Sequence, residues 1–284
     1  MTHAGLRLVP FVAAVIASGA VVSSQVRPDA RALVERLHAY LERYEPRLSE
    51  LVADEDFRQR TTYVTHDGIR QVSARRRLRS DVGFLRLPGG LAWLGQRSVR
   101  AVDDRPVPSV ERLEKTYSDA GAGLLARARA IADANASFNL GHPRSLNLPT
   151  LPLDLLERRR TGAFDVSVEG RASTNGRPTT RVLFRERAPG AIVAHDDSGF
   201  VRVDVRAWLD ADGALHRADV ALFAPDGHGR HDIRVDFVHE QNLGMLVPVR
   251  LTESFRGRDT GGGVATYSKF RAFRTSGRLV PPPP

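Results

Sequence analysis

The sequence predicts an α+β fold: a large antiparallel β-sheet curled into a half-barrel, with an N-terminal helix and a mid-chain helical insertion packed on it. Three observations predict it. Apolar residues recur at spacings of three and four near residues 29–55 and 110–134, the signature of amphipathic helices. From Gly162 onward the chain is a succession of alternating apolar–polar segments joined by turn-forming residues. No βαβ alternation occurs, and no phosphate or dinucleotide glycine loop follows a strand. An open sheet of about ten strands tends to curl, and helices then cover or plug its concave side.

Taken in order, residues 1–24 read as a signal peptide. Arg7 supplies a positive start, Leu8 to Val22 is almost free of polar groups, and Ser23-Ser24-Gln25 turns small and then polar. Cleavage after Ser24 or after Ala20 fits the small-residue rule. An uncleaved membrane anchor is the alternative, although the apolar run holds Pro10 and Gly19 and is short for a span of about 20 residues. The product expected is exported and periplasmic. Residues 25–278 read as one curled-sheet domain and 279–284 as a disordered proline tail.

Between Asp29 and Glu55, Leu33, Leu37, Tyr40, Leu41, Tyr44, Leu48, Leu51 and Val52 form one helical stripe, with Asp29 as N-cap and Pro46 as a kink or break. Strands follow at Phe57–Val64, Ile69–Leu78, Phe84–Leu87 and Ala92–Val102. A second helical stretch, capped by Ser109, carries Leu113, Tyr117, Leu124, Leu125, Ala128 and Ile131. A short helix is expected at Leu153–Arg159. Beyond it come strands at Phe164–Gly170, Thr179–Glu186, Phe200–Leu209, Ala214–Phe223, Ile233–Glu240, Val247–Arg256 and Val264–Thr275, with tight turns at Asn175-Gly176, Asp210–Gly213 and Pro225-Asp226-Gly227.

Composition narrows the chemistry. The chain has 284 residues, a formal charge of +9 and no cysteine, which excludes disulfides, thiolate metal sites, cysteine nucleophiles and cysteine-linked lipid anchors. Lys115 and Lys269 are the only lysines, so the basic excess is almost wholly arginine, as high-GC coding produces without functional selection. Nucleic acid is not an expected partner, since export separates the two and no stacking aromatics accompany the arginines.

The candidate sites are few. Arg75, Arg77 and Arg79 share one face of a strand, while Arg70 and Arg76 point to the other with Val72 and Leu78. That three-arginine face is a candidate anion site for a phosphate or anionic lipid head group; the alternative is a solvated strand whose arginines pair with carboxylates. His228, His231 and Asp232, with His239 and Glu240 downstream, are the densest group of possible metal ligands. A zinc or iron site needs three converging side chains, and His231 and His239 would lie about 27 Å apart along a strand at ~3.4 Å per residue. The segment therefore reads as a solvated hairpin. Asp210-Ala211-Asp212-Gly213 reads as a hairpin turn, because the twelfth position of a calcium loop would be Ala221. His66-Asp67 and His195-Asp196-Asp197 sit among turn-forming residues, and no GxSxG elbow occurs. Trp93 and Trp208 read as core or rim residues. Along the last strand Tyr267 shares parity with Lys269, Arg271 and Phe273, and Phe270 takes the opposite face. No cofactor, metal ion or catalytic residue is assigned.

Several segments carry a likeness: Leu51-Val52-Ala53-Asp54-Glu55-Asp56-Phe57, the block from Leu78-Arg79-Ser80-Asp81 through Trp93, Val102 to Val107, Phe138-Asn139-Leu140-Gly141, and Ala265 to Arg271. Together with the export signal they resemble a group of uncharacterised exported bacterial proteins, over most of the mature chain. More distantly, the helix–sheet–helix–sheet order and the last strand resemble the periplasmic lipoprotein-carrier fold, an open β-barrel lidded by helices. That likeness is one of architecture and implies no transferable site residues.

The leading functional reading is a non-enzymatic exported protein whose curled sheet binds a lipid or other hydrophobic ligand, with membrane contact limited to the signal segment or transient. The alternatives are an envelope structural or protein-interaction module showing an apolar patch to a protein partner, and a hydrolase using His66, His195 or the His228–His239 region.

Overall fold

The structure, a computed structural model, describes residues 29–64, 71–86, 93–107, 130–131, 134–140, 147–190, 202–225, 227–257 and 259–272. The expected signal segment, the expected proline tail, His66-Asp67, His195-Asp196-Asp197 and most of the helical stretch expected at 110–134 lie outside the described residues; residues 130–131 and 134–136 are helical.

Helix α1 (Ala30–Leu48) starts at Asp29, whose side chain accepts from the Arg31 N–H at 3.0 Å. It runs through Pro46 and is capped by Ser49, about two turns earlier than the periodicity predicts: Leu51 and Val52 already belong to strand β1 (Leu51–Val64). The expected helix to Glu55 is thus too long. Proline gives its carbonyl partner no N–H, and Ser49 closes the end by donating its hydroxyl to the Pro46 carbonyl at 2.8 Å.

Strand β2 (Gln71–Arg86) is continuous where two strands were expected, followed by β3 (Trp93–Val102) and the two-residue β4 (Arg105–Pro106). The expected helix at Leu153–Arg159 is two short ones, α2 (Leu151–Leu156) and α3 (Arg158–Thr161), parted by the extended Glu157. Seven strands complete the chain: β5 (Phe164–Thr174), β6 (Arg177–Glu186), β7 (Arg202–Leu209), β8 (Leu215–Phe223), β9 (Arg230–Glu240), β10 (Met245–Arg256) and β11 (Thr260–Ala272).

All pairings are antiparallel in one eleven-stranded sheet of order β4-β3-β2-β1-β11-β10-β9-β8-β7-β6-β5. The last strand therefore lies beside the first, and the sheet stays open at β4 and β5. Alternation decides the faces: Val203, Val205, Ala207 and Leu209 of β7 are fully buried, as are Ala218, Val220 and Leu222 of β8 and Ile233, Val235 and Phe237 of β9. They meet Leu33, Leu37, Leu41 and Leu48 of α1 and Leu153, Leu155 and Leu156 of α2 in one core. Each buried Val, Leu, Ile or Phe side chain contributes roughly 1.5–3 kcal/mol by leaving water. The concave face is thus filled here by helix side chains.

One expectation about the faces fails at the end of β11. Lys269 has φ 51°, and the β1 register jumps from Ser268 opposite Asp54 to Arg271 opposite Val52. This bulge adds a residue and reverses the parity beyond it. Tyr267 and Phe270 consequently both face the core, Phe270 stacking on Phe84 at 6.5 Å, while Arg271 reaches Asp54 and Asp81 outside.

Candidate functional site

The described residues form a cleft of about 430 Å³ at the mouth of the half-barrel, between α1 and three strand connections. Tyr40 and Tyr44, one turn apart on α1, stack with ring centroids 5.1 Å apart and make one wall. Met245, Leu246 and Ala214 complete an apolar floor. Arg43, Arg47 and Arg177 stand around it with His239.

Local sequence explains why these loops sit against α1. The β7–β8 turn is closed by Asp210, whose Oδ1 accepts from the N–H groups of Asp212 (3.0 Å) and Ala214 (2.9 Å), while Oδ2 lies 3.0 Å from His216 Nε2. Gly213 at φ 82° completes the turn, and a Cβ there would overlap the backbone of Arg36 and Leu37. Only glycine lets the turn rest directly on the helix. Arg47 donates to the Leu243 carbonyl at 2.7 Å and so ties the end of α1 to the β9–β10 connection. The Tyr44 hydroxyl is buried with no hydrogen-bond partner among the described residues, and burial pushes its pKa well above the ordinary tyrosine value, so it remains a donor.

The other half of the concave face is polar. Arg97 holds Glu55 through two hydrogen bonds (2.6 and 2.8 Å) and reaches Asn147 Oδ1 at 3.3 Å and its carbonyl at 3.1 Å. Asn139 Oδ1 accepts from Asn147 and from Gln59, and Gln59 Oε1 accepts the Leu140 N–H. The guanidinium also lies 4.9 Å above the Phe57 ring. Burial opposes the charge of Arg97, but the bonded Glu55 carboxylate overrides it and holds the arginine above its ordinary value. With both charges satisfied, this network pins the Phe138–Leu140 and Asn147 segments inside the sheet.

The sequence-derived candidates fall in separate places. Arg75, Arg77 and Arg79 do lie on the outer face of β2, but Arg77 is held by Asp56 (2.7 and 3.0 Å) and Arg79 by Asp104 (2.8 Å). Arg76 turns inward and donates to the Phe138 carbonyl at 2.8 Å. His231 is buried 3.3 Å from Glu253 and edge-on to Phe255; Asp232 points outward to Arg230, His228 is exposed, and His239 is at the mouth cleft. Among the described residues no three potential metal ligands converge. Trp208 lies on the outer face with Arg217 5.7 Å above its ring. Sequence reasoning missed Glu55, placed in the helix, and Arg97, given no role; Gly213 and the Tyr40/Tyr44 pair were visible only as a turn residue and a core stripe.

No family model matches the chain, and no curated protein matches it. Among solved structures it is similar to a domain assigned to outer membrane lipoprotein sorting from Vibrio parahaemolyticus, at 11% identity and TM-score 0.44, covering 88% of this chain and 96% of that one. A DUF1329 family protein from Desulfovibrio piger matches at 11% identity and TM-score 0.38, covering 86% and 92%. A LolA superfamily protein from Nitrosomonas europaea matches at 11% identity and TM-score 0.33, covering 87% and 94%. All three likenesses are distant, at 11% identity.

Proposed function

We propose that this is an exported, non-enzymatic binding protein that takes an amphipathic ligand, an apolar chain with an anionic head, in the cleft at the mouth of the half-barrel. One observation carries the reading: an open apolar floor of Tyr40, Tyr44, Ala214, Met245 and Leu246 lies beneath Arg43, Arg47 and Arg177. Its volume falls within the range of about 300–1,000 Å³ common to small-molecule sites. The apolar chain leaves water against the floor, and the carboxylate or phosphate head meets guanidinium groups at the edge. The sheet's centre is filled by α1 and α2, so the mouth, not the middle, takes the ligand. Among the described residues no helix is long and apolar enough to cross a membrane. An interaction module is less well supported, because Val238 is the one exposed large hydrophobic residue among those described.

The test is titration of the purified chain with dansyl-labelled undecanoic acid, alongside mass spectrometry for co-purified lipid. Saturable binding is expected, weakened about tenfold or more by Ala214→Phe, which fills the floor. Arg43→Gln with Arg177→Gln should weaken the fatty acid and leave the matching alcohol unaffected. No saturable binding, together with no co-purified lipid, overturns the reading.

A further inference from the structure

The outer face carries a second recess, of about 780 Å³, that the mouth cleft does not explain. Its floor is β11, with Gly262, Val264 and Thr266. Asp56, Arg58 and Arg60 of β1 form one wall, with Arg75 of β2 behind them; Arg250, Thr252 and Ser254 of β10 form the other. The registers fix these positions: Arg60 lies opposite Gly262 and Ser254 lies opposite it from the other side, Arg58 and Thr252 flank Val264, and Arg250 pairs with Thr266.

Two features separate this recess from a merely basic surface. First, Arg60, Arg75 and Arg250 are exposed and have no carboxylate partner among the described residues, and Arg58 has only a 3.6 Å contact with Asp56, which Arg77 already holds. Second, the β1–β2 register places Arg60 directly opposite Arg75 and Arg58 directly opposite Arg77. Like charges directly opposite on a sheet destabilise it, so this arrangement carries a repulsion that an anion would relieve. Gly262 leaves the middle open to the backbone, and the hydroxyls of Thr252, Ser254 and Thr266 add donors.

We propose that this recess binds the phosphoryl groups of a small phosphorylated solute. Guanidinium forks match phosphate oxygens bidentately and remain charged at any physiological pH. At about 4.8 Å between strands and 3.4 Å per residue, the arginines ring a patch roughly 14 Å across, room for two phosphoryl groups and too small for a long polyanion. A flat bilayer would rest on the arginine tips and leave the floor hydroxyls unused, which favours a solute that enters the recess. Arg75 thus keeps the anion-binding role expected of it, with Arg58, Arg60 and Arg250 as its partners in place of Arg77 and Arg79.

Titration calorimetry of the whole chain with inorganic pyrophosphate tests this. Saturable binding is expected, together with a rise in melting temperature as pyrophosphate is added. Arg60→Gln with Arg75→Gln should lower the affinity about tenfold or more and abolish the rise. Thr252→Ala with Ser254→Ala should weaken binding with all arginines intact, and Arg217→Gln with Arg234→Gln should leave it unchanged. Absence of pyrophosphate binding, equal loss in the Arg217/Arg234 variant, or binding only to phosphatidylglycerol vesicles overturns the proposal; the fatty-acid titration reads the mouth cleft independently.

Discussion

The outer face of the sheet holds two regions with the same arginine-rich composition and opposite electrostatics. Over β5 to β9 four guanidinium groups are answered by carboxylates: Arg181 and Arg206 share Glu169 (2.7 and 3.1 Å), Arg217 meets Asp236 at 2.6 Å, and Arg234 meets Asp219 at 2.7 Å. The last two pairs are directly opposite in the β8–β9 register. Between β1 and β2 the register instead sets arginine against arginine, Gly262 of β11 forms the floor, and Arg250 of β10 lies opposite an Asp236 that Arg217 already holds. Coding bias accounts for the abundance of arginine in both regions. It does not account for the difference in pairing: Arg60, Arg75 and Arg250 stand without a carboxylate partner among the described residues, while their neighbours Arg77 and Arg79 are held by Asp56 and Asp104.

The floor gives the largest expected effect. Gly262→Ala in an ordinary strand position would stabilise by roughly 0.5–1 kcal/mol, because alanine loses less backbone entropy. Here the new Cβ would collide with the Glu253 carbonyl oxygen on β10, which is backbone and cannot swing aside. Overpacking of this kind costs about 1–3 kcal/mol, so the sign reverses. Urea denaturation reads it: destabilisation supports a floor built for a missing side chain, and stabilisation breaks the contrast between the regions.

Next in size are the arginines themselves. Arg217→Met removes a pair with Asp236 and a guanidinium over Trp208, and should cost about 1 kcal/mol. Arg60→Met removes a charge whose neighbour across the ladder is Arg75, and should be neutral within about 0.5 kcal/mol or slightly stabilising. Equal losses in the two variants would show that the regions do not differ.

Parts of this contrast are legible in the sequence. The strict alternation of Val203, Val205, Ala207 and Leu209, and of Ile233, Val235 and Phe237, declares half-buried strands, because one face meets α1 and the other meets water. The stripe of α1 was equally clear, but its end was not: Leu48, Leu51 and Val52 satisfy both periods, and only the turn at Ser49 decides between them. The bulge at Lys269 left no signal, since lysine at positive φ has no sequence signature. Arg75 stood out within a run, whereas Arg58, Arg60 and Arg250 become its neighbours only through registers that the sequence does not determine. The Glu55–Arg97 pair joins residues on different strands for the same reason.

The smallest effect lies within the second region, at Asp56 of β1, which lines the recess. Its carboxylate accepts two hydrogen bonds from Arg77, and these hold its pKa below the ordinary aspartate value against a smaller opposing contribution from burial. A depressed folded pKa means that the folded state binds fewer protons than the unfolded one. The resulting stability is therefore fully present above the unfolded value of about 3.9 and is lost as pH falls through the lower folded value. Asp56→Asn should remove that part of the acid limb while costing at most about 1 kcal/mol at neutral pH, as half-exposed pairs do. The same change leaves Arg77, which faces Arg58 across the ladder, with only its 3.4 Å contact to Asp104 and so makes it available to the recess. Pyrophosphate affinity should then rise a few-fold, by about 0.5–1 kcal/mol of added attraction. An acid limb unchanged in Asp56→Asn would show that Arg77 does not depend on this carboxylate. A fall in affinity would show that the boundary between answered and unanswered arginines is not drawn by Asp56.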